Sequence, residues 1–151
     1  MSDPSFSPDT QRTLAAVLDE IIPASRDGAL PGAGALGVGV YVEERLGTAA
    51  EAVTAGLAAL EELAMGRGAA GFCAAAREDR LPLLNEVSES HPGLLGSLIF
   101  HGYGGYYQDP RVVEALGLEA RPPHPKGYEL ESGDLGLLDA VRARPKLYRD
   151  A

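Results

Sequence analysis

Apolar residues recur at intervals of three and four along most of this chain. Leu14, Val17, Leu18, Ile21 and Ile22 form one such face, and Val38, Tyr41, Val42 and Leu46 a second. Val53, Leu57, Leu60, Leu63 and Ala64 form a third, Leu81, Leu84 and Val87 a fourth, and Leu94, Leu95, Leu98 and Ile99 a fifth. A period of 3.6 residues gathers such side chains on one side of a helix. No stretch shows the period-two alternation of a half-buried strand. The chain is therefore expected to be all-α, a single compact domain over residues 1–151 with five to seven helices.

Start and stop residues divide the pattern. Ser7, Pro8 and Asp9 supply a cap, a first-turn proline and a first-turn acid, and Pro23 ends the helix they open. Thr48 and Glu51 read as a capping box for the third helix, which places Glu61 and Glu62 toward solvent, and the Met65-Gly66-Arg67-Gly68 run stops it. Pro82 fits a first turn, so the fourth helix is expected to start near Asp79, with Leu81, Leu84 and Val87 facing inward. The fifth should run from about Pro92 to about Tyr107. Asp109, Pro110 and Gly117 then give a cap, a first position and a stop.

Beyond Gly117 the character changes. Arg121-Pro122-Pro123-His124-Pro125 favours an extended, polyproline-like path, and residues 118–133 are expected to lie over the surface. Asp134 caps a last helix carrying Leu135, Leu138 and Val141, and Pro145 ends it. Residues 1–6 and 146–151 are expected to fray.

Composition excludes several functions. A net charge of −9 lacks the basic footprint that nucleic acid or an anionic membrane surface requires. No apolar run reaches the ~18 residues of a membrane span. The single cysteine, Cys73, rules out an internal disulfide, a CxxCH haem site and a CxxC zinc pair. It lies in Phe72-Cys73-Ala74-Ala75-Ala76 and reads as a small buried apolar residue. The N-terminal MSDPSFSPDTQRTL has no basic region followed by an apolar one, so a cytoplasmic location is expected.

Gly32-Ala33-Gly34-Ala35-Leu36-Gly37 matches the dinucleotide-binding spacing GxGxxG. That site needs a strand directly before the first glycine and an acid about 20 residues later. A loop precedes Gly32 and a helix follows Gly37, so the run is read as a connector, and no cofactor is assigned to this chain.

The chemistry-bearing residues concentrate in HGYGGYYQDPR, residues 101–111, which holds three of the six tyrosines. Each interior helical glycine costs about 1 kcal/mol relative to alanine. Gly102, Gly104 and Gly105 together therefore point to close approach by another backbone. Tyr103, Tyr106 and Tyr107 have three readings: core, partner interface or substrate platform. Helical geometry turns one of them inward. His101 as a general base would need an acid, with Asp109 as the candidate, and a pocket. His91 beside a proline and His124 among prolines read as loop residues. Asp109 and Arg111 are a cap and a surface charge, with a pairing of Arg111 to Asp19 or Glu20 as a further option.

The run HGYGGYYQDPRVVEALG, followed by the proline-broken stretch and Lys126-Gly127-Tyr128, resembles the subunit 3 family of gluconate 2-dehydrogenase. So does the opening, where Asp19-Glu20-Ile21-Ile22-Pro23-Ala24 closes an amphipathic helix and Pro31-Gly32-Ala33 precedes the next. The resemblance covers residues 6–128. It implies a non-catalytic small subunit that stabilises or helps fold a large FAD-dependent oxidoreductase of the glucose–methanol–choline type, acting on sugars or other alcohols. FAD would sit in that large flavoprotein partner of a hetero-oligomer, which passes electrons onward to an acceptor protein. His101, Tyr103, Tyr106, Tyr107, Asp109 and Arg111 are the interface candidates under this reading. Relatives often begin with a twin-arginine export signal, and here Arg12 stands alone, which departs from the pattern. Two other classes stay open: a stand-alone helical enzyme or small-ligand binder using His101 and the tyrosines, and a helical interaction protein unrelated to redox chemistry.

Overall fold

The computed structural model describes residues 6–121, 127 and 132–145. Among them are seven α-helices and no strand. They are α1 (Pro8–Ile21), α2 (Val38–Arg45), α3 (Ala50–Gly66), α4 (Arg77–Ser90), α5 (Gly93–Tyr106), α6 (Pro110–Ala115) and α7 (Asp139–Arg142). Backbone proximity divides the chain into two compact units, Met1–Ala120 and Arg121–Ala151.

The first unit is built around α5, which packs on α1, α2, α3 and α4. Leu94 and Leu98 of α5 are fully buried with Leu14, Val17 and Leu18 of α1, Val42 of α2 and Val53, Leu57 and Leu60 of α3. Each such side chain contributes about 1.5–3 kcal/mol on burial. Close packing uses small residues: a Cβ on Gly56 of α3 would stand 3.0 Å from the Leu94 methyls. The helix start read at Ser7 is present, with its hydroxyl accepting the Thr10 N–H at 3.1 Å. Phe6, expected to fray, is instead buried in the core, and its N–H donates to Glu43.

Five local expectations are overturned. Helix α3 has no capping box: Ala49 is its N-cap, with no side-chain bond. A 3-10 turn over Gly47–Ala49 leads straight in, and the N–H groups of Ala49 and Ala50 go to the Leu46 and Gly47 carbonyls. Glu61, placed toward solvent in the sequence reading, turns inward to accept the Thr13 hydroxyl and, at 3.0 Å, the Phe72 N–H. Helix α4 begins two residues before Asp79, so Pro82 lies past the first turn and supplies no N–H for the Glu78 carbonyl.

The same helix buries Leu83 beside Leu84 and Val87, while Leu81 is exposed. Its inward stripe is Arg80, Leu83, Leu84 and Val87 at i, i+3, i+4 and i+7. A charged member obscured that stripe in the sequence. The guanidinium of Arg80 pairs with Glu20 at 3.3 Å and donates to the carbonyls of Cys73 and Ala75 at 2.8 and 3.2 Å. Cys73, expected to be buried, is exposed, with Sγ 3.6 Å from the Arg12 carbonyl oxygen.

In the second unit the Asp134 carboxylate accepts the Gly136 N–H at 2.9 Å, as a cap should. The chain continues as a 3-10 turn over Leu135–Leu138 and then α7, with Leu135, Leu138 and Val141 exposed. Most of the extended segment expected over 118–133, His124, and the tail 146–151 lie outside the described residues. Among the described residues no helix is long and apolar enough to cross a membrane.

Candidate partner interface

Helix α5 turns two different faces to its surroundings. Gly102, Gly105 and Tyr106 are buried, whereas Tyr103 and Tyr107 are 43% and 52% exposed. The glycines do admit a neighbour, but it is a set of side chains and not a backbone. A Cβ on Gly105 would lie 2.8 Å from the Tyr41 ring and 2.9 Å from Val38 Cγ1, and one on Gly102 would lie 3.1 Å from Leu18 Cδ2. The bare stretch therefore nests against α1 and α2, and this orientation points Tyr103 and Tyr107 outward.

One tyrosine faces inward, as helical geometry requires. Tyr106 is 2% exposed, and its hydroxyl donates to the Pro31 carbonyl at 2.8 Å, which fastens the connector before α2 to α5. Burial, with the nearby Tyr107 and Asp109, pushes its phenol above the usual range. Tyr103 and Tyr107 stack, 6.0 Å between centroids and 7° between planes, and Tyr106 meets Tyr107 edge-on.

Asp109 caps α6 by accepting the Arg111 N–H at 2.9 Å. The Arg111 side chain returns two further bonds, at 2.9 and 2.7 Å, and reaches the Leu36 carbonyl at 3.3 Å. This fork holds the Asp109 carboxyl below the usual carboxylate range. It also replaces the pairing of Arg111 with α1: Asp19 accepts the Gly34 N–H at 2.8 Å, and Glu20 is held by Arg80. The stop after α6 is a Schellman turn, with Gly117 at φ 75° and the Leu118 N–H on the Val113 carbonyl.

His101 is half-buried and meets the Phe100 ring edge-on at 5.1 Å, 86° between planes. Asp109, its candidate acid, is engaged by Arg111 instead. A groove of about 450 Å³ does exist, lined by Thr13, Thr54, Ala58, Glu61, Gly71 and Cys73 among others, but no residue of 101–111 lines it. Partial burial and the Glu61 carboxylate raise the Cys73 thiol above its usual range. Among the described residues no cluster of three His, Cys, Asp or Glu side chains is placed to hold a metal.

The sequence reading missed Phe100, which is 75% exposed. A signal for it was available: Phe100, Tyr103 and Tyr107 stand at i, i+3 and i+7, a stripe as regular as the buried one beside it. Ile99, grouped by spacing with Leu94, Leu95 and Leu98, is exposed, whereas Leu94 and Leu98 are buried. His91 closes α4 as its C-cap, with Nδ1 3.0 Å from the Ser90 hydroxyl.

Fold and site together define a small all-α protein that displays an aromatic helix face and keeps its charged residues near that face tied to one another. The chain belongs to the gluconate 2-dehydrogenase subunit 3 family, whose model matches residues 8–116. The matched span takes in α1 to α6 and the whole of the tyrosine segment. No curated protein and no solved structure gives a significant match.

Proposed function

We propose that this chain is a non-catalytic accessory subunit of a flavin-dependent dehydrogenase, binding a large glucose–methanol–choline type subunit and supporting its folding or stability. The large subunit carries FAD, performs hydride transfer from a sugar or other alcohol, and hands electrons to an acceptor protein. A cytoplasmic location for the pair belongs to the same reading. The observation that carries it is the stacked, outward Tyr103–Tyr107 pair on a chain whose family is named as a dehydrogenase subunit. Exposed aromatics of this kind are favoured at protein interfaces, where a few of them dominate the binding energy. Placing the flavin in the partner is supported by the glycine loop of this chain, where the Gly34 N–H, which would have to face a phosphate, is held by Asp19.

The test is co-expression with a large flavoprotein subunit of the glucose–methanol–choline type, followed by pull-down on the small chain. Tyr103→Ala and Tyr107→Ala should reduce recovery of the large subunit while leaving the melting temperature of the lone chain unchanged. Full recovery with both variants would refute the assignment of this face. A yellow lone chain would refute the placement of the flavin in the partner.

A further inference from the structure

Helix α5 contains no Asp, Glu, Lys or Arg, within a chain of net charge −9. Its outward positions are Gly93, Gly96, Ile99, Phe100 and Tyr103, continued by the C-cap Tyr107, all exposed. That three-and-four spacing keeps them on one side of the helix. Around Gly93 and Gly96 nothing lies within 4 Å of an added Cβ, so the backbone there is open to contact. At the other end the rings are already set, Phe100 against His101 and Tyr103 against Tyr107. Side chains held in place before binding lose little freedom on binding.

Building on the partner reading above, we propose that this whole face is the docking surface, that Phe100 is its anchor, and that it seats in an uncharged apolar groove of the larger subunit. Area and charge together disfavour a second copy of this chain. At ~200 Å² per aromatic side chain, the exposed parts of the three rings come to about 340 Å². Two copies meeting through them bury about 700 Å² in all, below the ~1,000 Å² of a stable interface. The net charge of each copy also opposes that pairing. A larger partner reaches past the rings to Gly93 and Gly96 and encloses more. Charge sets the chemistry of the groove. A partner ion buried against α5 would find no counter-ion on it, and such a burial is strongly unfavourable.

The experiment uses the full chain and the purified large subunit, with affinity measured by titration at 50 and 500 mM NaCl. Wild type is compared with Phe100→Ala and with Phe100→Gln, which places a long polar side chain at a solvent-facing position. The expected result is a loss of about 30-fold in both variants, the hot-spot scale. Wild-type affinity should change less than threefold with salt, and the lone chain should be monomeric. Loss of less than tenfold in the variant that retains the wild-type melting temperature overturns the anchor. A tenfold or greater fall with salt overturns the uncharged groove. A dimeric lone chain that Phe100→Gln splits overturns the choice of partner. If wild type itself does not bind, the partner reading fails and this inference with it, an outcome distinct from tight binding by all three proteins.

Discussion

The Asp19 carboxylate on α1 accepts the backbone N–H of Gly34 at 2.8 Å. This bond gives the glycine-rich connector its role. A Cβ on Gly32 or Gly34 would run into the Asp19 carboxylate, and on Gly34 also into the Ala15 carbonyl. The glycines are there so that the connector can lie directly on α1.

Gly34→Ala should therefore destabilise the chain by about 1–3 kcal/mol, the usual cost of overpacking, with a fall of several degrees in Tm. Asp19→Ala should cost a comparable amount by stranding the amide. Calorimetric titration of the wild-type chain with NAD, FAD or ATP should give no saturable binding, because the amide is already taken. Micromolar binding would contradict this account of the loop.

Tyr106→Phe should cost about 1 kcal/mol at neutral pH by leaving the Pro31 carbonyl without its donor. Tyr106→Ala should cost about 3 kcal/mol or more through the cavity it opens. The phenol is raised in the folded state, so its contribution is complete below the ordinary tyrosine range near pH 10 and is lost as pH climbs above it. Denaturation at pH 8 to 11.5 should show wild type losing stability at the top of that range by more than Tyr106→Phe does.

Glu61 joins α1, α3 and the turn at Phe72. Glu61→Ala leaves the Phe72 N–H without its acceptor and the Thr13 hydroxyl with only the Asp9 carbonyl, and should cost about 1–3 kcal/mol. Glu61→Gln keeps an acceptor oxygen and should cost less. Removing the negative charge also removes one of the two causes that raise the Cys73 thiol, after partial burial. Glu61→Gln should then carry more thiolate at pH 8 and react faster with iodoacetamide. An unchanged rate would mean that the Glu61 charge does not act on the thiol.

Asp109 works as a cap and as the partner of Arg111. Asp109→Ala should cost about 1 kcal/mol. Its carboxyl is held low in the folded state, so the stabilisation is present above the ordinary carboxylate range and lost as pH falls through the folded value below it. Asp109→Asn keeps a capping oxygen and does not titrate. Acid titration from pH 5 to pH 2 should show wild type losing more than this variant, and parallel curves would argue that the pair with Arg111 contributes nothing measurable.

The apolar period and the punctuating residues determined the all-α class, the order of the helices, and the caps at Ser7, Asp109 and Asp134. They also determined that one tyrosine of the three faces inward. Such features depend on residues within a few positions of one another, and the backbone answers to them locally. Family membership was legible too, because the order of the short runs is itself a sequence property. Tertiary structure decided the rest. Which way Glu61 points depends on Thr13 and Phe72, and whether Arg80 can sit on an inward stripe depends on Glu20. Arg111 turned to Asp109 because Asp19 and Glu20 were each engaged elsewhere. The exposure of Phe100 follows from how α1 and α2 close on the glycine face of α5. A local pattern lists the side chains that share a face; only packing between distant segments selects the face that is covered.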